Sequence, residues 1–217
     1  MSTSADLARQ HWNETPLYYT EDYRYKFYPW LYDAAEFRRH IGERVLEVGC
    51  GTGTDLLQFA RHGAIATGVD ITEQHLRLAR ERVRGKAEVL YGDATNLPFP
   101  DGSFDYVYSH GVLHHIDRAN LAATEILRVL KPDGRFNVHL YARYSYMTWW
   151  LISRKRRAWK LHIENSLTPV YVELYTARKV RRFFPGCRLS FQKFQTPEYK
   201  RFERYIGWFL VTKGLKP

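Results

Sequence analysis

The sequence predicts an α/β protein built on a doubly wound, mostly parallel β-sheet. Between residues 44 and 142, short and almost continuously apolar runs alternate with helical patterns. Strands that are buried on both faces have this composition. Strand, helix and strand at this spacing are typical of parallel sheets with helices on both faces. A glycine-rich turn directly after the first run indicates that the sheet edge binds a ligand.

Each element of this core can be justified from its own residues. In the segment after the second strand, Thr72 is a plausible N-cap, Leu76 and Val83 share one helix face, and Gly85 ends the helix. A second helix precedes the turn "KPDG". The five predicted strands cover residues 44–49, 64–70, 87–93, 104–109 and 135–142.

The 217 residues predict one domain, because a chain of this length buries a sizeable core as a single unit. We expect four parts within it: an aromatic N-terminal arm (1–43), a ligand-binding core (44–142), a basic aromatic insertion (143–175), and a C-terminal helix with two strands (176–217). The arm and the insertion are expected to cover the ligand edge as lids.

Charge is divided unevenly along the chain. Residues 1–140 have a formal charge of −3, whereas residues 141–217 carry +13. Such an asymmetry favours an anionic partner, RNA or an anionic membrane surface, at basic residues 143–204, although a solvated basic surface explains it equally well.

The composition also limits the cellular setting. Cys50 and Cys187 are the only cysteines, too few for a disulfide framework. No apolar stretch approaches the ~18 residues of a membrane span, and the first residues do not have the pattern of a secretion signal. We therefore expect a cytoplasmic protein.

The turn "VLEVGCGTGTD" is the strongest local signal. Gly49, Gly51 and Gly53 lie between a strand and a helix, where glycine allows the backbone to approach a ligand closely. Asp70 ends the second strand, and Asp93 ends the third. A carboxylate placed like Asp70 accepts hydrogen bonds from ribose hydroxyls, so this correlated set predicts a nucleoside site.

Together, "VLEVGCGTGTD", "GVDIT", "GDATNLPFPDGSFDYVYSHGVLHHI" and "EILRVLKPDGRF" resemble the class I S-adenosylmethionine-dependent methyltransferases of type 11. The resemblance spans about residues 44–140. It implies a Rossmann-like, seven-stranded, mostly parallel sheet whose last strand is antiparallel. It also implies S-adenosylmethionine as cofactor, S-adenosylhomocysteine as product and no metal.

The same resemblance implies a set of cofactor contacts. Glu47, Gly49 and Gly51 would line the methionine and ribose moieties. Asp70 would hold the ribose hydroxyls, with Ile71 against the adenine. The further residues that it implies near the cofactor are Asp93 and Ala94 at the adenine, Ser109 at the methionine end, Cys50 and Gly53 in the turn, and Tyr19 in the arm.

Three histidines follow the fourth strand in "SHGVLHHID". His110 and His114 are four residues apart, but "HGVLH" lacks the glutamate of H-E-x-x-H, so a metal site is disfavoured. Structural roles in the core or at a helix cap remain open. The functional hypothesis is that His115, or else His114, faces the methyl group as a base or orienting group.

The acceptor cannot be read from the fold, because this fold serves unrelated substrates. The favoured hypothesis is metal-independent transfer to oxygen or nitrogen, with carbon possible, of a small aromatic or hydrophobic molecule. A tRNA wobble-uridine type of RNA methyltransferase is the first alternative, and DNA is not expected. The second is a membrane-surface or protein-binding module that retains the fold without turnover.

Overall fold

The computed structural model describes residues 4–16, 20–155, 171–194 and 206–217. Its centre is a seven-stranded sheet with the strand order β3-β2-β1-β4-β5-β7-β6. Strands β1 to β5 pair in parallel, and β7 runs antiparallel to both β5 and β6. The predicted fold class is therefore confirmed. The strands are β1 (Arg44–Val48), β2 (Ile65–Asp70), β3 (Glu88–Tyr91), β4 (Phe104–His110), β5 (Leu130–Tyr141), β6 (Arg188–Phe194) and β7 (Phe209–Leu215).

Helices precede, connect and follow the strands. Two short 3-10 helices, at Phe37–Arg39 and Leu113–His115, lie before β1 and after β4. The α-helices of the described residues are α1 (Ser4–Glu14), α2 (Glu21–Phe27), α3 (Leu31–Ala35), α4 (Thr54–Arg61), α5 (Glu73–Val83), α6 (Ala119–Val129), α7 (Tyr146–Lys155) and α8 (Ala177–Phe183).

The sheet divides the core into two apolar clusters. Leu46 and Val48 belong to one cluster and Val45 to the other, because successive side chains of a strand point to opposite faces. The first cluster includes residues of α6 such as Ile126, and the second includes residues of α4 such as Phe59. Helices therefore cover both faces, which is why the parallel strands are continuously apolar.

Strand β5 and the start of helix α5 differ from the sequence predictions. Strand β5 begins at Leu130 rather than at residue 135, because Leu130 already pairs with Phe104 before the register shifts. At α5, Thr72 is the N-cap as predicted, but its side chain makes no capping hydrogen bond. The Thr72 amide instead donates to Asp70 Oδ1 at 2.9 Å, so a residue of β2 organises the start of this helix.

The described part of the C-terminal third contributes α7, α8, β6 and β7. Helix α7 buries Thr148 and Leu151, whereas Trp149 and Ile152 are exposed. Among the described residues, no helix has both the length and the apolar character needed to cross a bilayer. Much of the basic insertion predicted at 143–175 lies outside the described residues.

Candidate functional site

A cavity of about 220 Å³ opens at the carboxyl ends of the parallel strands. In open α/β sheets this edge is where ligands bind. Its walls come from the glycine turn, the ends of β1, β2 and β4, the N-terminal arm and β7. Its lining includes Trp12, Arg24, Tyr28, Glu47, Gly49, Cys50, Gly51, Asp55, Asp70, Ile71, Asp93, Ala94, His110, His115, Arg118, Tyr141 and Phe209.

The glycine turn after β1 needs glycine for two different reasons. Gly51 has φ +51°, and a β-carbon there would meet no atom within 4 Å, so the backbone borders open space. Gly49 has φ +73°, and a β-carbon there would lie 2.2 Å from Val112. The turn therefore brings bare backbone to the cavity while Val112 packs closely against it.

Two backbone amides hold the Asp70 carboxylate in place. Its Oδ2 accepts a hydrogen bond from the Gly51 amide at 2.9 Å, and its Oδ1 accepts one from Thr72 at 2.9 Å. The imidazole of His75 lies 3.4 Å from Oδ1. A carboxylate has about four acceptor positions, so two backbone bonds orient Asp70 and leave capacity for a ligand.

Glu47 is a buried acid at the end of β1, and among the described residues its Oε2 has no hydrogen-bond partner. Burial raises the pKa of Glu47 well above its usual range, and the negative charges of Asp55 and Asp70 add to this effect while Arg24 opposes it. A buried carboxyl with an unsatisfied oxygen is costly unless a ligand satisfies it. The residue therefore suits a cationic or hydrogen-donating group in the cavity.

Asp93 and Ala94 line the cavity beyond β3. The Asp93 Oδ1 accepts hydrogen bonds from the amide and the hydroxyl of Thr95, both at 2.8 Å. These bonds fix the turn after β3 and hold the acid at the cavity edge, which Ile71 also lines.

The N-terminal arm is anchored to the cavity by an ion pair that sequence reasoning missed. Arg24 of α2 donates to both oxygens of Asp55 of α4, from Nε at 2.7 Å and from Nη2 at 2.5 Å. The hydroxyls of Tyr25 and Tyr108 also donate to Asp55, at 2.8 and 3.1 Å. The Asp55 side chain is fully buried, so this cluster fixes the arm over the sheet edge.

Of the two predicted catalytic histidines, only His115 lines the cavity. Its Nδ1 lies 2.9 Å from the carbonyl oxygen of Tyr171, which can only accept, so we place a proton on Nδ1. The His115 ring also meets Trp12 edge-on, with centroids 5.6 Å apart.

His114 is fully buried and stacks on Tyr141, with centroids 3.6 Å apart. Neither ring nitrogen has a hydrogen-bond partner among the described residues. Burial lowers the pKa of His114 well below its usual range, and His115 and His110 add to this effect. The neutral His114 ring therefore packs in the core beside Tyr141 and does not face the cavity.

Three predicted site residues do not line the cavity: His114, Gly53 and Ser109. The Ser109 hydroxyl is fully buried and donates to the Val48 carbonyl at 2.9 Å, so it joins β4 to β1. Strand alternation directs the Ser109 side chain towards Val48 of the neighbouring strand and not into the cavity. The position of Ser109 near the end of a strand did not predict this direction. Tyr19 lies outside the described residues.

A row of hydrogen-bonded polar side chains between β4 and β5 was not predicted from the sequence. His110 Nδ1 lies 2.8 Å from His139 Nδ1, and His139 Nε2 lies 2.9 Å from Asn137 Oδ1. The available signal was the polar alternation of Asn137 and His139 within the apolar run "RFNVHLYA". Only the strand register reveals the contact, because His110 and His139 are direct partners in it.

Comparisons with known proteins agree with this geometry. Residues 46–138 match the family model of the type-11 methyltransferases, described as "Methyltransferase domain". That range contains the glycine turn, the three strand-end acids and the histidine turn. Residues 46–138 therefore have the sequence of a class I methyltransferase domain.

Curated relatives share the methyltransferase domain. A demethylmenaquinone methyltransferase of Clavibacter sepedonicus is 41% identical over 96 residues, which cover 43% of this chain and 39% of the relative. A fatty-acid O-methyltransferase of Mycolicibacterium smegmatis is 40% identical over 116 residues, which cover 50% of this chain and 41% of the relative. The matches span less than half the length of these relatives.

A solved S-adenosylmethionine-dependent methyltransferase from Mesorhizobium loti has the same fold as this chain. The two superpose with a TM-score of 0.69 over 91% of this chain and 98% of the other, at 19% identity. The methyltransferase fold therefore extends well beyond residues 46–138.

Proposed function

We propose that this chain transfers the methyl group of S-adenosylmethionine to oxygen or nitrogen of a small, apolar or aromatic molecule. The observation that carries the proposal is the cavity at the strand ends of the methyltransferase domain, with Glu47, Asp70 and Asp93 on one wall. Aromatic residues, among them Trp12 and Tyr28, also line it.

The residues present fit this cofactor. S-adenosylmethionine carries an ammonium group and a sulfonium group, and the cavity offers the unsatisfied Oε2 of Glu47 to such positive charge. The open space at Gly51 allows a ligand to lie against the backbone without meeting a β-carbon. Asp70 is held by two backbone amides and keeps acceptor capacity for a pair of ribose hydroxyls.

Specific roles follow for the residues that line the cavity. Asp70 would hold the ribose, and Asp93, Ile71 and the Ala94 backbone would bind the adenine. The methionine end would contact Glu47 and three residues of the glycine turn, Gly49, Cys50 and Gly51.

When bound, the cofactor supplies an already activated methyl group, so the protein has little covalent chemistry to perform. The contribution of this chain is to align an acceptor, exclude water and receive a proton where the acceptor loses one. The arm suits the first two tasks, because the Arg24–Asp55 pair fixes α2 at the cavity.

A small acceptor is favoured over RNA by the shape of the site. A cavity of about 220 Å³ with Trp12, Tyr28, Tyr141 and Phe209 on its walls suits a compact apolar molecule. The relatives named above carry names of small acceptors, a demethylated quinone and a fatty acid. The tRNA alternative would instead require a basic groove beside the cavity; among the described residues, the lysines and arginines that line it are Arg24, which pairs with Asp55, and Arg118.

The test is calorimetric titration with S-adenosylhomocysteine. We expect the wild type to bind it, and Asp70→Ala to weaken binding by about 10- to 150-fold, because charge-assisted hydrogen bonds contribute ~1.5–3 kcal/mol. Asp101→Ala is the control, since that carboxylate is 81% exposed and pairs with Arg128 on the surface. Absence of binding by folded wild type would refute the proposal.

A further inference from the structure

The row of polar side chains behind the cavity fixes the protonation of one histidine in its wall. The row begins at the backbone carbonyl of Ala34, to which Asn137 Nδ2 donates at 2.7 Å. A carbonyl oxygen can only accept, so the amide nitrogen of Asn137 must face it, and Oδ1 must face His139. The orientation of the Asn137 amide is thereby determined.

The next two bonds follow from the first. Asn137 Oδ1 only accepts, so His139 donates from Nε2 across 2.9 Å. His139 is completely buried, and burial lowers its pKa well below the usual range, an effect to which His110 adds. The neutral His139 ring therefore has a bare Nδ1, which accepts the Nδ1 proton of His110 across 2.8 Å.

The charges that face this pair come from three neighbouring elements. Arg24 of α2 and Lys213 of β7 lower the pKa of His139, and Asp55 of α4 raises it. Burial lowers the pKa of His110 well below its usual range, and Arg24 adds to this effect. Both histidines are thus neutral at neutral pH, and the second ring nitrogen of His110, Nε2, is an acceptor.

His110 also lies in the cavity wall, surrounded by aromatic rings. Its ring stacks on Phe209, with centroids 4.9 Å apart, and Tyr28 meets it edge-on at 6.1 Å. Tyr28, His110, Tyr141 and Phe209 all line the cavity. A hydrogen-bond acceptor between apolar ring faces selects ligands that place a donor at one point of an otherwise apolar body.

The geometry points to His110, held by His139 and Asn137, as the group that binds the methyl acceptor: its Nε2 accepts a hydrogen bond from the O–H or N–H that becomes methylated. This inference rests on the proposed function and narrows its substrate class to neutral, ring-bearing or apolar molecules with such a donor. His110 is then a catalytic residue, and His139 and Asn137 are positioning residues.

The same nitrogen accounts for the proton that must leave. For a hydroxyl acceptor, transfer breaks the O–H bond and forms an O–CH₃ bond, and the electron pair of the broken S–CH₃ bond stays on sulfur. The proton rests on Nε2 of His110 and passes to water when the products leave. An alkylated oxygen that still carries its proton is a strong acid, so even a histidine with a lowered pKa accepts that proton.

Histidine tautomers give a test that requires neither cofactor nor acceptor. Long-range ¹H–¹⁵N correlation spectra of histidine-labelled protein distinguish a proton on Nδ1 from one on Nε2. We expect Nδ1–H for His110 and Nε2–H for His139 at neutral pH, with assignments from His110→Gln and His139→Gln. A charged His110, or one with its proton on Nε2, would overturn the inference.

Binding of phenol and anisole tests the acceptor role. Both are compact aromatic probes, but only phenol has a donor, so phenol should change the Nε2 resonance of His110 in the S-adenosylhomocysteine complex and anisole should not. His110→Gln should weaken phenol binding by about 2- to 10-fold, the range for one net hydrogen bond, with anisole unchanged. His62→Gln is the control, since His62 contacts Tyr32 away from the cavity.

Each remaining outcome decides one claim. Equal weakening of phenol and anisole would indicate lost packing and overturn the role of Nε2. Failure of phenol to bind, while S-adenosylhomocysteine still binds, would overturn the acceptor site and leave the cofactor proposal intact. Failure of S-adenosylhomocysteine to bind concerns the proposed function alone, because the tautomers are measured on the protein by itself.

Discussion

Two ion pairs join the same two helices, α2 and α4, and they differ in burial. Arg24 reaches Asp55 with its side chain 12% exposed and that of Asp55 0% exposed. Arg61 reaches Glu21 at 2.6 Å with side chains 45% and 33% exposed. They provide a comparison within one protein, because each joins an arginine to a carboxylate and both connect the same two helices.

We expect Arg24→Met to lower the free energy of unfolding by about 3–5 kcal/mol, because it leaves the Asp55 carboxylate buried without its cation. The hydroxyls of Tyr25 and Tyr108 still donate to Asp55, so the loss should lie near 3 kcal/mol. For a domain of this size, such a loss corresponds to a fall in Tm of about 6–12 °C. Arg61→Met should cost about 0.2–1 kcal/mol, as exposed pairs do.

Urea unfolding, followed by circular dichroism, measures both variants under identical conditions. High salt should reduce the Arg61–Glu21 contribution and leave most of the Arg24–Asp55 contribution, since buried pairs are screened less. Equal losses in the two variants, or a loss below about 1 kcal/mol in Arg24→Met, would refute the argument that burial of Asp55 makes this pair essential to the arm.

Two further predictions concern β7 and the sequence-predicted base. Gly214→Ala should destabilise the protein by about 1–3 kcal/mol in the same unfolding assay, because a β-carbon there would lie 2.1 Å from the Phe136 ring on the neighbouring strand. Gly42→Ala measures a different cost, because no atom lies within 4 Å there and only its φ of +75° opposes alanine; an unchanged stability in Gly214→Ala would contradict the packing argument. If His115 is the base, His115→Ala should lower kcat by about 10²–10⁴ with little change in cofactor affinity. The inference that His110 receives the proton predicts the opposite result, a near-normal kcat in His115→Ala and a large loss in His110→Ala.

The sequence was sufficient for features that repeat along the chain. Continuous apolar runs identified β1 to β5, and the turn around Gly49 and Gly51 identified the ligand edge, because both depend on neighbours in sequence. Asp70 and Asp93 were predicted for the same reason: Asp70 ends β2, whereas Asp93, predicted to end β3, lies two residues after Tyr91, the last residue of that strand. Their roles at the cofactor remain predictions.

Other features could not be predicted, because they depend on how distant segments align. Ser109 lies near the end of β4 as expected, yet its hydroxyl binds the Val48 carbonyl of β1. A shift of one residue along a strand reverses the direction of a side chain, so the position alone did not predict this contact. Arg24 and Asp55 are 31 residues apart in sequence, and no local pattern joins them.

By itself, the sequence determined the fold class and the edge of the sheet that binds a ligand, because periodicity and glycine turns are local properties of the chain. Only the tertiary structure placed His110, with a defined tautomer, in the wall of the cavity. His110 obtains its tautomer from His139, Asn137 and the carbonyl of Ala34, which the β4–β5 register and the packing of α3 bring together. A proton position is set by partners in space: His110 and His139 are 29 residues apart, Asn137 and Ala34 are 103 apart, and only Asn137 and His139 are close in sequence.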